Sequence, residues 1–296
     1  MAWRRCSAIV AVALVAATVL AGSRAQPAAA ADGWTETGAT TYELDPAHGL
    51  VRVSVTLKVA NTTPSTSEPY SCIQSTYDPW LGYVPYVSTC HRTTSYYLDS
   101  ATVIVENEAS AIRATSAGSV LRTQAGARGS VYRAIRVSFP RLYYGRSRTI
   151  RVTYVIKGGG PRSTASTRVM RAYASFCAVP QGVDSGSVTV RVPAGFTFST
   201  AGGRMSSTIS GHTRVFTSGT VADTASFWAC FDGTNPAGYR TDQLTAPDGR
   251  TVTMRSWPED AAWAAGVRAD VTNGLPALAA LIGRPMPGTA PLVIEA

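Results

Sequence analysis

Val51, Val53, Val55, Leu57 and Val59 alternate with Arg52, Ser54, Thr56 and Lys58. A strict period of two puts the apolar set on one face and the polar set on the other, which predicts a half-buried strand. The same alternation recurs at residues 131–139, 150–156 and 188–192, and more weakly at 101–105, 215–218, 226–231 and 252–254. Turn-forming residues separate these stretches: Asp45-Pro46, residues 126–129, Tyr144-Gly145, Gly158-Gly-Gly-Pro161, Pro193-Ala-Gly195, Gly202-Gly203 and Asp248-Gly249. The Gly158 to Pro161 stretch lacks the residues of a phosphate-binding loop and reads as a hairpin connection. Many short strands with no helical pattern between them predict a mainly β chain, an antiparallel sandwich or saddle-shaped sheet.

The pattern changes at Ser256. Ser256-Trp-Pro-Glu259 has the form of a capping box, with Ser256 as the N-cap. Trp263, Val267, Val271 and Leu275 then recur every four residues, followed by Leu278 and Ile282, which predicts an amphipathic helix. Gly274 and Pro276 predict a kink or a split in it. Gly283 is suited to end it, and Pro285 and Pro287 prevent its continuation. Leu292, Val293 and Ile294 then open a new strand. The organisation expected is a leader over 1–31, an all-β domain over 32–255, and over 256–296 the start of an α/β domain that the chain leaves incomplete.

Composition supports a folded chain: 45% hydrophobic and only 15% charged over 296 residues. At the N-terminus, Arg4 and Arg5 precede an apolar run over 8–21 and the small residues Ala29-Ala30-Ala31, the three parts of a cleavable signal peptide. The run is short for a bilayer span, and no other stretch is long and apolar enough. The expected location is therefore extracellular. In an oxidising compartment, Cys72, Cys90, Cys177 and Cys230 predict two disulfides. Three pairings are open. Cys72–Cys90 closes a local loop, stabilising by roughly 3 kcal/mol on the chain-entropy model, and Cys177–Cys230 then joins distant strands.

The net charge of +9 comes almost wholly from arginines spread along the chain. Dispersed arginine reads as solvated sheet faces; a nucleic-acid stripe needs clustering, so no nucleic-acid partner is expected. The three histidines, His48, His91 and His212, sit at no metal-ligand spacing, and no serine lies in a nucleophile elbow. No catalytic, metal or cofactor residue is assigned within the chain. The most unusual segment is 70–97, which holds seven aromatic residues, is bracketed by Cys72 and Cys90, and reads as a loop. Tyr77, Trp80, Tyr83 and Tyr86 are its candidate binding residues, offering large flat contact area with a polar edge. They serve either as a small satellite core under the loop or as a grip on a glycan, a peptide or a surface protein.

Several stretches together resemble a known family. These are Arg141-Leu-Tyr-Tyr-Gly-Arg-Ser-Arg-Thr-Ile-Arg-Val-Thr-Tyr154, Val192-Pro-Ala-Gly-Phe196, Ser256-Trp-Pro-Glu-Asp-Ala-Ala-Trp263, Gly274-Leu-Pro-Ala-Leu-Ala-Ala-Leu-Ile-Gly-Arg-Pro-Met-Pro287 and Leu292-Val-Ile-Glu295. They are similar to the N-terminal region of M1-like (gluzincin, peptidase MA-like) zinc metallopeptidases in their secreted bacterial form. The resemblance implies a β saddle that packs on a zinc peptidase domain and shapes one wall of its cleft. The family's zinc-binding His-Glu-x-x-His helix belongs downstream of these stretches, so no catalytic residue carries over, and Glu295 is not assigned to substrate binding. Zinc is expected only in the downstream domain, and that domain is the expected partner. The alternative is a secreted β-sandwich binding module that uses the aromatic segment.

Overall fold

A computed structural model describes residues 33–245, 251–283 and 292–295. The leader expected over 1–31 and the turn residues Asp248-Gly249, Pro285 and Pro287 lie outside them. The chain opens with β1 (Trp34–Asp45) and β2 (Leu50–Asn61), then β3 (Thr66–Asp78) and β4 (Gly82–Thr94). Next come β5 (Tyr97–Glu106), β6 (Ala109–Ser116), β7 (Ser119–Arg128), β8 (Tyr132–Tyr143) and β9 (Ser147–Lys157). They are followed by β10 (Arg168–Val169), β11 (Tyr173–Ala178), β12 (Ser185–Pro193), β13 (Thr197–Gly202), β14 (Ser206–Ser210), β15 (Thr213–Val221) and β16 (Ala229–Thr234). A 3-10 turn at Pro236–Gly238 leads to β17 (Arg240–Thr245), β18 (Thr251–Ser256), helix α1 (Ala261–Ile282) and β19 (Leu292–Glu295).

Ten strands form one open sheet in the order β14-β15-β12-β1-β2-β9-β6-β7-β8-β5. The sheet curls so that β5 and β8 lie across β2. Alternation decides which side faces in: Val51, Val53, Val55, Leu57 and Val59 of β2 are buried, as are Ile150, Val152, Tyr154 and Ile156 of β9 opposite them. Most neighbours are antiparallel, but β1 runs parallel to β12, with Thr37 beside Ser185 and Glu43 beside Arg191. A second sheet, β10-β11-β16-β13, closes over the first. Its Phe198 and Phe231 meet Phe216 of β15, Phe176 packs on both of them, and one continuous core joins both sheets. The result is a mainly β sandwich with a saddle-like main sheet.

Gly38 in β1 marks a close approach. A Cβ there would come 2.1 Å from the Gln181 carbonyl oxygen, so only glycine lets the segment before β12 cross the strand. That crossing seats the buried Gln181 against the sheet edge, where its amide donates to the Ile104 carbonyl and accepts from the Ile104 N–H at 2.9 and 3.0 Å.

The last part of the chain has its own small sheet. β17 pairs with β18 antiparallel, and β18 pairs with β19 parallel, with α1 between them in sequence. Leu244, Val252, Met254, Ala264 and Val271 form a separate core, with Trp263, Val267 and Leu275 packed against it. The four-residue apolar repeat of the helix is thus the face that covers the sheet. Residues 240–245 and 251–256 belong by pairing and packing to this unit and not to the large sandwich. The two are fastened by an Arg162–Asp260 ion pair at 2.7 Å and by stacking of Tyr173 on Trp257 at 5.3 Å.

Four local expectations change. Ser256 does not cap the helix: it is the last residue of β18, paired with Arg240, and the chain needs a further turn before helical geometry begins. Asp260 is the N-cap, its carboxylate accepting from the Trp263 N–H at 3.4 Å. The helix is not split; it runs from Ala261 to Ile282 through Gly274 and Pro276, because a missing proline N–H removes one bond while the turns on either side persist. Gly283 ends it in the left-handed conformation, donating to Ala279 O at 3.0 Å. Gly126 lies inside β7, where a register irregularity between Ala125 and Arg128 absorbs it, and the turn follows at Gly129, which donates to Tyr132 O at 2.7 Å. The glycines from 158 to 160 do not join a hairpin; they carry the chain out of the large sheet toward β10 of the second one.

Candidate functional site

The segment over 70–97 is not a loop. Residues 66–94 form a two-stranded hairpin, β3 against β4, from Thr66 opposite Thr94 to Asp78 opposite Gly82. The sequence folds this way because the turn is strongly specified. Asp78 Oδ1 accepts from the N–H groups of Trp80 and Leu81 at 2.8 and 3.0 Å, and Gly82 adopts φ of 74°. Pro79 breaks the strand signal at the apex, and Pro69 and Pro85 weaken it along the arms. That is why alternation is hard to read there. Cys72 and Cys90 are bonded across the two arms.

The aromatic residues fill no satellite core. Trp80 is 93% exposed at the apex and Tyr83 is 77% exposed, with Tyr77 and Tyr86 also out in solvent. Tyr77 and Tyr83 face each other across the arms with ring centroids 5.4 Å apart, edge to face. Tyr86 donates its hydroxyl to Gln74 Oε1 at 3.0 Å, and the Arg92 guanidinium lies over the Tyr70 ring. The four candidate residues are therefore brought onto one projecting element, with Tyr86 on the face opposite Tyr77 and Tyr83.

The three histidines stay apart. His48 sits in the turn after β1, bonded to the Asp45 carboxylate at 2.9 Å; His91 lies on β4; His212 lies in the turn between β14 and β15, its carbonyl accepting from Ala194 N–H. Among the described residues no three His, Cys, Asp or Glu side chains gather where they could hold a metal ion. No described helix is long and apolar enough to cross a membrane.

Sequence reasoning missed two buried acids. Glu36 and Glu106 are both almost fully enclosed. Burial pushes Glu106 up to about 7, eased by its own backbone N–H and the Tyr154 hydroxyl and reinforced by Glu108; no carboxylate oxygen of Glu106 meets a hydrogen-bond partner of good geometry. Burial, and then the neighbouring Asp184 carboxylate, push Glu36 up to about 7. No periodic signal finds Glu106: it follows the inward Val105, where β5 ends and both residues are enclosed. In the folded chain each acid keeps its proton to about pH 7, whereas unfolding lets it ionise from about pH 4.5. The folded state therefore binds more protons between these limits, and stability falls as pH rises through the window, by roughly 3 kcal/mol per acid. Glu106→Gln is expected to remove about half of this slope in urea titrations from pH 4.5 to 8. An unchanged slope shows that Glu106 does not ionise there.

The fold and these features define a mainly β sandwich carrying an exposed aromatic hairpin and joined to a small βαβ unit. No known family profile matches the chain, and no curated protein matches it. Among solved structures it is similar to an M1 zinc metallopeptidase from Deinococcus radiodurans, at 14% identity and a TM-score of 0.34, covering 77% of this chain and 48% of that one. A mutant of the M1 enzyme from that organism bound to a Tyr-Ser-Ala substrate matches at 14% identity and a TM-score of 0.35, covering 78% and 49%. The chain spans about half the length of the structures it matches.

Proposed function

We propose that this chain is the exported N-terminal part of an M1-like zinc metallopeptidase, non-catalytic in itself, with its βαβ unit as the seat of a zinc peptidase domain. The observation that carries the reading is the arrangement of β18, α1 and β19. A parallel strand pair joined through a helix is how an α/β layer begins. The helix is also incompletely covered. Its first turns pack on the small sheet, but Leu278, Leu281 and Ile282 stand out of the core, Leu281 85% exposed. Apolar residues at the end of an otherwise packed helix fit a surface that a following layer covers. The sequence stretches that resemble the peptidase family at 256–263, 274–287 and 292–295 overlap the described residues of this unit. The sandwich then acts as a wall beside the catalytic cleft.

Leu278→Asp with Leu281→Asp tests this. In protein expressed from a reading frame continuing past residue 296, the pair is expected to lower peptidase activity or secreted yield at least about tenfold by burying charge at the interface. In the chain of 296 residues alone the same changes should move stability by less than about 0.5 kcal/mol per site, since both side chains are exposed. A stop codon directly after Ala296, or an indifferent longer protein, overturns the proposal.

A further inference from the structure

The hairpin of β3 and β4 is apolar in a way that the peptidase reading does not use. Each arm has 13 residues, so the apex stands roughly 40 Å along the strands from the hairpin's foot. Its side chains alternate between two faces, and both are exposed. Ile73, Tyr77, Tyr83 and Val87 lie on one; Tyr70 and Tyr86 lie on the other. Trp80 and Leu81 cap the end. Between Ser71 and Cys90 the only charged side chain is Asp78, and its carboxylate is engaged by two backbone N–H groups of the turn. In a chain of net charge +9 this element is close to neutral.

We propose that the hairpin tip inserts into the interfacial region of a lipid bilayer. Three features choose this partner. First, apolar residues surround the tip on both faces and at its apex. A protein groove or a glycan covers one side, whereas a fluid bilayer surrounds whatever enters it. Second, the order along the hairpin suits an interface: Trp80 and Leu81 lead, and the Tyr77–Tyr83 pair follows, a residue type whose ring is apolar and whose hydroxyl stays wet. Third, the tip carries no cation and its one carboxylate, Asp78, is held by two backbone N–H groups of the turn, which suits the poorly charged depth of a membrane and gives an anionic polymer nothing to hold. The edges are closed to a different use. Pro69 on β3 and Pro85 on β4 lack the N–H that an added strand needs, so a partner chain extending this sheet is disfavoured. The Cys72–Cys90 bond braces the arms, so insertion does not require the hairpin to order itself first.

The test is sedimentation of the full chain with vesicles of a neutral phosphatidylcholine, read together with tryptophan fluorescence and its quenching by brominated lipid. Binding that persists at high salt, with a blue shift, is expected. Trp80→Ala with Leu81→Ala should weaken it by at least about tenfold, because these side chains supply the leading apolar area. Both are exposed, so circular dichroism and the unfolding midpoint should stay unchanged and loss of fold is excluded as the cause. Failure to bind neutral vesicles overturns the proposal. So does binding that the double substitution leaves intact, or that moderate salt abolishes. Retention on an insoluble neutral polysaccharide without vesicle binding overturns it in favour of a glycan. None of these outcomes depends on peptidase activity.

Discussion

Phe231→Ala is expected to lower the unfolding free energy by about 4 kcal/mol. Phe231 is 1% exposed and belongs to the second sheet. Its ring stacks on Phe176 at 5.3 Å and meets Phe216 of the main sheet at 5.1 Å and Phe198 at 5.9 Å. Truncation therefore removes one of the ring contacts that span the two layers and leaves a space lined by rings held on three different strands. Such a space collapses poorly, which places the cost toward the upper part of the usual range. Phe231→Leu retains most of the volume and should cost about 2 kcal/mol or less. Urea unfolding followed by circular dichroism measures both. An alanine variant within about 1 kcal/mol of the parent shows that the sheets do not meet through this ring.

Removing the Cys177–Cys230 bond as the paired serine variant is expected to cost about 4 kcal/mol, from the chain-entropy value for a loop of 53 residues. The two cysteines are directly opposite on β11 and β16. The bond therefore ties strands that must find one another across the intervening β12 to β15 segment, and its loss enlarges the unfolded ensemble. Cys230 adjoins Phe231, so the two losses should not add. The other disulfide should behave differently. Its loop of 18 residues gives roughly 3 kcal/mol by the same relation, but that loop is a hairpin exposed on both faces. The Cys72→Ser, Cys90→Ser variant should keep the midpoint of the core while the hairpin becomes sensitive to protease. If the two serine pairs shift the midpoint equally, the hairpin is coupled to the core more tightly than its packing indicates.

Much of this architecture is readable locally. The inward set of β2 follows from five alternating apolar residues, and the same logic exposes β8, β9 and β12. The apolar repeat from Trp263 to Leu275 marks the packed face of α1, and Gly283 marks its end. The hairpin resisted because two prolines and many serines and threonines hide a strand that is exposed on both faces. Without a buried side there is no alternation to see. The helix start is hidden for a related reason. Ser256 has the chemistry of a cap, but its pairing with Arg240 keeps it extended, and Asp260 takes the role.

The candidate site divides in the same way. An unusual density of tyrosines between Cys72 and Cys90 is visible in the sequence, whereas their standing free in solvent is not. The buried acids left no local mark at all, since enclosure of Glu106 depends on where β5 ends and on Tyr42 and Tyr154 from distant strands.

What the sequence by itself determined is the inner face of β2, β8, β9 and β12, the helix's packed face and the supply of four cysteines, because these rest on spacing between near neighbours. The tertiary structure alone decided that β1 lies parallel to β12, that Gly38 must yield to Gln181, that the two sheets close through Phe216 and Phe231, and which acids lose contact with water. Pairing and burial are contacts between residues far apart in the chain, and their energies depend on what the rest of the fold brings alongside.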